Sequence, residues 1–145
     1  MAFTYEYPRP AVTTDCIIIR GKDPMEVLLI ERKHDPFMGS WALPGGFVDM
    51  DEDLEHGAIR ELHEETNLTG VALQQFRTYG KPGRDPRGRT VSVVYYGFHD
   101  NHQKAMAGDD AAKVRWFDVN SLPPLAFDHA EILDDFFGVM DFKFS

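Results

Sequence analysis

Three glutamates lie close together in the predicted helix 53–66, at spacings that bring their side chains to one face. They are Glu61, Glu64 and Glu65. At about 100° per residue they fall within an arc of roughly 100°. Like charges at these spacings destabilise an isolated helix by a few tenths of a kcal/mol per pair, so this face needs a compensating partner. Mg²⁺ or Mn²⁺ would provide one, because these cations prefer carboxylate, carbonyl and water oxygens.

The residues around this helix favour a metal site over a merely solvated acidic face, which is the usual interpretation of an isolated E-x-x-E-E helix. The segment 46–68 resembles the Nudix box, G-x5-E-x7-R-E-U-x-E-E-x-G-U, in which U is apolar. The matching residues are Gly46, Glu52, Arg60, Glu61, Leu62, Glu64, Glu65 and Leu68. The preceding W-A-L-P-G-G of residues 41–46 extends the likeness. The chain therefore resembles the Nudix hydrolases, which cleave a diphosphate linkage attached to a nucleoside.

One position departs from the box, because Asn67 replaces its second glycine. This residue would lie just past the helix end, where the backbone often turns left-handed. Asparagine is second only to glycine in that conformation. We therefore expect a slightly less stable helix end and an intact metal site.

The resemblance implies a role for each box residue. The three glutamates would bind the metal, with the backbone carbonyl of Gly45 as a further ligand. Arg60 would anchor the box by pairing with acids rather than bind metal, and Glu52 is its expected partner. The metal, Mg²⁺ or alternatively Mn²⁺, would neutralise the diphosphate and lower the pKa of the water that attacks phosphorus.

The general base stays open among four acids. Glu64 and Glu65 belong to the box, whereas Asp109 and Asp110 belong to a Gly-Asp-Asp loop in which some family members place a base. Taken alone, these aspartates suit an ordinary turn better than catalysis. Sequence does not choose among the four.

The loop that follows the box indicates anion recognition in an otherwise acidic chain. Its cations are Lys81, Arg84, Arg87 and Arg89. The planar fork of arginine suits phosphate and ribose contacts, so we predict that the three arginines bind substrate. A solvated hairpin loop is the other interpretation. Pro82 stands where ADP-ribose pyrophosphatases of the family often carry a proline, whereas the tyrosine of dinucleoside polyphosphate hydrolases is missing.

Upstream of the box, Arg32 is a fourth candidate for substrate binding, because it ends a predicted strand and could reach a phosphate. Phe37 or Trp41 could stack on an adenine. Core packing is the better interpretation of Trp41, and the role of Phe37 stays open. The histidines show no zinc-ligand spacing and are not predicted to be catalytic.

ADP-ribose, cleaved to AMP and ribose 5-phosphate, is the predicted substrate, and two other functions compete. A nucleotide-pool hydrolase would act on oxidised or ordinary nucleoside triphosphates. A non-catalytic ADP-ribose sensor is suggested by the segment 125–129, which resembles that of transcription regulators of NAD metabolism. We expect no such regulator, because the chain ends at Ser145 without a winged helix and its net charge of −9 disfavours DNA.

The elements that must position these residues are predicted from hydrophobic periodicity and from turn residues. Strands are expected at 12–20, 27–32, 71–78, 91–98 and 113–117, with 91–98 central, and helices at 53–66 and after an Asp128 cap. Residues 34–40 and 81–89 are expected to be loops. Together with the resemblance, these elements predict one α/β domain over residues 1–145, a Nudix-type α/β/α sandwich with a mixed β-sheet.

Composition sets the remaining expectations. The chain of 145 residues has 43% hydrophobic and 27% charged residues, no apolar run long enough for a membrane span and no signal peptide, so we expect a cytoplasmic protein. Its acidity disfavours nucleic acid and membranes as partners, but allows a small anionic substrate through bound cations. Cys16 is expected in the core. A homodimer is possible, and the terminal aromatics could serve either a core or an interface; they are Phe136, Phe137, Phe142 and Phe144.

Overall fold

The computed structural model describes residues 3–100, 103–108 and 111–144. Within these residues the chain forms seven strands and two helices. They are β1 (Ala11–Arg20), β2 (Glu26–Arg32), β3 (Trp41–Ala42), β4 (Gly45–Phe47), α1 (Leu54–Thr66), β5 (Gln74–Tyr79), β6 (Thr90–Phe98), β7 (Ala111–Asp118) and α2 (His129–Phe144).

The seven strands form one mixed sheet. Its main order is β3-β2-β1-β6-β5, with β4 paired to β1 and β7 paired to β2. β1 runs antiparallel to β2 and parallel to β6, so the chain must cross over between β1 and β6. The segment predicted to be a central strand, 91–98, is central as β6. The predicted mixed sheet is therefore confirmed.

A helix covers each face of the sheet. Since successive side chains of β1 point to opposite faces, they pack alternately against the two helices. Ile17 and Ile19 pack beneath α2, whereas Cys16 and Ile18 pack beneath α1. The buried apolar side chains of α2 include Ile132, Leu133, Phe136 and Met140, and those of α1 include Ala58 and Leu62. The predicted α/β/α sandwich is confirmed. Cys16 lies in the core as expected, and burial raises the pKa of its thiol.

Three parts of the sheet differ from the prediction. Two short strands, β3 and β4, lie in the segment that leads into the box, where no strand was predicted. The strand predicted from Val71 begins only at Gln74. Val71 and Leu73 instead pack into the core beneath α1, and the carbonyl of Ala72 approaches Gly97 closely. Residues 71–73 therefore pack against the core instead of pairing with β6.

Asn67 ends α1 in the left-handed conformation that the sequence predicted, with φ of 64° and ψ of 8°. Its backbone N–H donates to the carbonyl of His63 at 2.8 Å, and its side-chain amide donates to the carbonyl of Met106, also at 2.8 Å. A glycine could not make the second bond. Asn67 therefore fastens the segment 103–108 to the end of α1. Neither helix in the described ranges is long and apolar enough to cross a membrane.

Candidate active site

The strand β4 is packed between β1 and α1 so closely that its first two residues have no room for side chains. Gly45 pairs with Asp15 of β1, and a Cβ on Gly45 would overlap the carbonyl oxygen of Thr14. A Cβ on Gly46 would lie 2.6 Å from the carboxylate of Glu61. Glycine at these two positions therefore lets the strand approach the acidic face of the helix.

Glu65 makes the direct bond between this strand and the helix. Its Oε1 accepts the backbone N–H of Gly45 at 2.8 Å, and the residue is only 6% exposed. The backbone of Gly45 is thereby held beside the buried carboxylate. The carbonyl of Gly45, predicted to be a metal ligand, belongs to the same short strand.

Arg60 organises the remaining acids of the box. It binds Glu52 through two bonds, from Nε at 2.6 Å and from Nη2 at 2.9 Å, which is the pairing that the sequence predicted. Its Nη1 donates to Glu61 at 3.0 Å and to Glu64 at 3.1 Å, and its Nη2 reaches the carbonyl of Phe47. Hydrogen bonding from Arg60 holds the pKa of Glu52 down to about 2. Arg60 therefore fixes the loop that precedes α1 against the helix.

The three predicted metal ligands do not have equivalent surroundings. Glu61 and Glu65 line one cleft of about 250 Å³, together with Gly45 and Gly46. The side chain of Glu64 is 48% exposed and is held by Arg60. Across the described part of the chain, no three His, Cys, Asp or Glu side chains are gathered closely enough to form a ready-made metal site.

This donor set nevertheless suits Mg²⁺, because Mg²⁺ uses one or two protein carboxylates and completes its shell with water and substrate phosphate. Glu61 and Glu65 provide two carboxylates on the same cleft, and Gly45 can provide a carbonyl. All of these donors are hard oxygens, as Mg²⁺ and Mn²⁺ prefer. The assignment of the glutamates as ligands stays a prediction.

Three of the four predicted substrate-binding arginines, Arg32, Arg84 and Arg87, line an adjoining cavity of about 90 Å³. The two spaces share Arg32, Gly45, Gly46, Phe47 and Glu65 in their walls, so acidic and basic residues meet in one continuous cleft. Arg89 is turned elsewhere and donates to the carbonyl of Gly80. It is not among the described residues that line either space.

Ion pairs hold two of these arginines in place. Arg84 binds Asp128 through two bonds, at 2.7 and 2.9 Å, and its side chain is 5% exposed. Arg87 binds Asp85 at 2.8 Å and remains 39% exposed. Arg87 is therefore the better placed of the two to change partner when an anion enters, whereas Arg84 is a fixed positive charge in the wall.

An aromatic wall faces the arginines. The Arg87 guanidinium lies 4.8 Å from the ring centroid of Phe47 and 5.3 Å from that of Phe127, and Arg32 lies 4.9 Å from Phe127. Phe37 packs edge-on against Phe127. Phe37 and Phe127 both have positive φ, an uncommon conformation for bulky residues that often marks a functional site. Trp41 packs on Phe117 in the core, as predicted.

The floor of the cavity contains polar residues that the sequence analysis did not select, namely Thr13, Asp15 and His129. Asp15 could have been found, because a carboxylate inside a buried strand is uncommon unless it has a partner. His129 was passed over because its spacing did not fit a zinc site. Its nearness to β1 depends on how the chain packs, and no local pattern shows it.

The four candidate bases are two glutamates of the box and two aspartates of the Gly-Asp-Asp loop. The side chain of Glu64 is half exposed, whereas Glu65 is buried beside Gly45. Asp109 and Asp110 lie outside the described residues. Gly108, which precedes them, donates its N–H to the carbonyl of Glu65 at 3.0 Å and lies tightly against the carbonyl of Glu64. The choice among the four acids stays open.

Comparison with known proteins gives one family. The profile of the NUDIX domain matches residues 9–136. The ADP-ribose pyrophosphatase of Methanocaldococcus jannaschii is 43% identical over 130 residues, which are 90% of this chain and 75% of that protein.

Two further similarities are to a repressor and to a solved NUDIX domain. The ADPR responsive transcriptional repressor NtrR of Acinetobacter baylyi is 33% identical over 95% of this chain, which spans only 57% of the repressor. The NUDIX domain of Shewanella oneidensis NrtR, solved with ADP ribose, superposes with a TM-score of 0.85. It is 31% identical and the match covers 92% of this chain and 90% of that domain.

Proposed function

The chain belongs to the NUDIX domain family and is a Nudix pyrophosphohydrolase, and we propose that it hydrolyses ADP-ribose to AMP and ribose 5-phosphate. The observation that carries this proposal is the cleft formed by the two adjoining spaces, with Glu61 in one, Arg84 and Arg87 in the other, and Glu65 and Arg32 in the wall that they share. A diphosphate suits such a cleft, because its negative charge can pair with the arginines and with a cation held by the glutamates. The similarity to an ADP-ribose pyrophosphatase supports the choice of substrate.

A divalent metal, Mg²⁺ in our proposal, would be held by oxygens of Glu61, Glu64, Glu65 and the carbonyl of Gly45. When bound, it would neutralise charge on the diphosphate and make a water more acidic. Arg60 has all its described bonds within the box and positions Glu61 rather than touching substrate. Arg87 can stabilise the phosphate charge after leaving Asp85. The proton of the attacking water passes to a box glutamate or to an aspartate of the Gly-Asp-Asp loop.

Glu65→Gln and Glu64→Gln test this site. Each change keeps the side-chain shape and removes a negative charge, so we expect either variant to lose most metal-dependent release of AMP from ADP-ribose, with the fold intact. Glu55→Gln is the matched control, because Glu55 is exposed in the first turn of the same helix and should tolerate the change. Turnover is compared with and without Mg²⁺, and with Mn²⁺. Unchanged turnover in both site variants would show that the metal site is misplaced.

ADP-ribose sensing without catalysis is the second candidate function, favoured by the similarity to the NtrR repressor. The two functions differ in one measurement. A sensor binds ADP-ribose and leaves it intact in the presence of Mg²⁺, whereas the hydrolase releases AMP. Turnover of nucleoside triphosphates, measured in parallel, tests the nucleotide-pool alternative, and faster cleavage of these than of ADP-ribose would overturn our substrate.

A homodimer belongs to the same proposal, because the exposed Val139 and the half-buried Phe137 of α2 leave apolar surface near the chain end. The side chains of Phe142 and Phe144 lie outside the described residues. Light scattering during size-exclusion chromatography gives the mass directly. A mass of one chain at micromolar concentration would contradict the dimer.

A further inference from the structure

His129, the first residue of α2, is held in one orientation at the floor of the cleft. Its Nδ1 accepts the backbone N–H of Leu43 at 3.0 Å. The segment before it follows β3, with the N–H of Ala126 donating to the carbonyl of Trp41 at 2.8 Å. The segment 126–129 therefore bonds to the chain at both ends of β3, through the backbone of Ala126 and through the ring of His129. The second ring nitrogen, Nε2, faces the carboxylate of Asp15.

The hydrogen bond from Leu43 determines which nitrogen of His129 has the proton. A nitrogen that accepts an N–H bond cannot itself be protonated, and burial lowers the pKa of this ring, so the ring is neutral. In a neutral imidazole whose Nδ1 is the acceptor, Nε2 has the hydrogen. His129 therefore presents a hydrogen-bond donor without charge.

Asp15 presents an acceptor next to this donor. Its Oδ2 accepts a bond from the hydroxyl of the fully buried Ser92 at 2.5 Å, which fixes the carboxylate. Its Oδ1 lies 3.8 Å from Nε2 of His129. This distance is too long for a hydrogen bond, so the donor and the acceptor do not satisfy each other. Both residues line the cavity that contains Arg84 and Arg87.

The charges in the cavity indicate where a phosphate and where a neutral polar group of a ligand would bind. The carboxylate of Asp15 repels a phosphate oxygen, so phosphate belongs beside the arginines. A group beside Asp15 and His129 must both accept from Nε2 and donate to Oδ1, and a hydroxyl does both with one oxygen. A cation is the other partner of a carboxylate, but the hydrogen on Nε2 of His129 points a positive partial charge at this position and so disfavours a cation there.

We propose that Asp15 and His129 together bind a hydroxyl of the substrate's sugar, with Nε2 donating to its oxygen and Oδ1 accepting its proton. The pair then favours a substrate that places a sugar hydroxyl beside it over one that places a phosphate there. This inference rests on the proposed function, because that function supplies the sugar. Two sugars of ADP-ribose offer this hydroxyl, the adenosine ribose and the terminal ribose.

Two variants of His129 separate binding of the hydroxyl from support of the fold. In His129→Asn the amide oxygen can still accept the N–H of Leu43, while the donor towards Asp15 is lost. In His129→Gln the longer side chain places an amide N–H near the position of Nε2. We expect His129→Asn to lower kcat/KM for ADP-ribose about tenfold, the usual effect of leaving one polar partner unsatisfied, and His129→Gln to restore much of it.

Substrate analogues identify the hydroxyl and provide the decisive comparison. Wild type and His129→Asn are assayed with ADP-ribose, with its analogue lacking the 2′-hydroxyl of adenosine, and with its analogue lacking the 2″-hydroxyl of the terminal ribose. For one of the two deoxy analogues the wild type should lose about tenfold in kcat/KM, and the variant should then match the wild type within about twofold. Equal losses in the variant on all three substrates would indicate a purely structural role and overturn the proposal.

A second measurement keeps this proposal separate from the proposed function. Binding of the same three ligands in EDTA, measured by calorimetry, needs no turnover. If ADP-ribose binds in EDTA but is not hydrolysed when Mg²⁺ is supplied, the hydrolase assignment fails while the same pattern of affinities still supports the hydroxyl contact. If the wild type does not distinguish either deoxy analogue from ADP-ribose, or binds none of them, the contact is refuted, whether or not the variants fold.

Discussion

Replacing Gly46 by alanine should weaken metal binding without unfolding the protein. The added Cβ would lie 2.6 Å from the carboxylate of Glu61, whereas ordinary contacts begin at 3.4 Å. The carboxylate must therefore retreat by about 0.8 Å, which a flexible side-chain end can do at little cost to the fold. Metal–ligand distances, in contrast, tolerate about 0.2 Å. Glu61 would lose its place as a ligand.

The expected size of this effect is a 10- to 100-fold weaker metal affinity, roughly what misplacing a ligand usually costs. Two assays measure it in Gly46→Ala, namely the Mg²⁺ concentration for half-maximal AMP release and a Mn²⁺ titration followed by electron paramagnetic resonance. The second does not depend on the substrate. Gly138→Ala in α2 is the control, because a Cβ there meets nothing within 4 Å.

Two results would refute this reasoning. Gly46→Ala with the metal dependence of the wild type would mean that Glu61 is not a ligand, or that β4 does not pack as described. An equal loss in Gly138→Ala would mean that any added methyl group disturbs the protein. Thermal unfolding of both variants should stay close to that of the wild type, since only the end of one side chain has to move.

Three further predictions concern stability and are tested by denaturant unfolding. Phe136→Ala empties a fully buried site and should cost about 3–5 kcal/mol. Asn67→Ala should cost about 1–2 kcal/mol of unfolding free energy. Asn67→Gly should cost less, because glycine is not strained at positive φ, and equal costs for the two variants would contradict this. Burial lowers the pKa of His129 from 6.5, so as pH falls below about 6.5 the unfolded chain takes up the proton first and stability declines. His129→Asn should flatten that decline, and an unchanged slope would count against it.

The sequence alone determined the elements whose signals are local. Strands β1, β2 and β6 follow from runs of β-branched residues, and α1 from its 3.6-residue period. The left-handed end at Asn67 follows from the preference of one residue type for one conformation. The pairing of Arg60 with Glu52 came from the resemblance to a family box, and the structure contains that ion pair.

Tertiary structure decided which of the acidic and basic residues share a space. The helical period placed Glu61, Glu64 and Glu65 on one face, but only the packing of β4 buries Glu65 and leaves Glu64 half exposed. Sequence treated the loop arginines as equivalent, whereas in the structure Arg89 is turned away from the cleft and Arg84 is tied to Asp128.

The sequence did not predict that Asp15 and His129 lie side by side. The two residues come from opposite ends of the chain, and the hydrogen bonds that orient them come from Ser92 and from the backbone of Leu43. Periodicity and turn preferences report contacts between near neighbours in the chain. Contacts between distant segments depend on the register of the strands and the closure of the sheet, and these are decided only when the whole core packs.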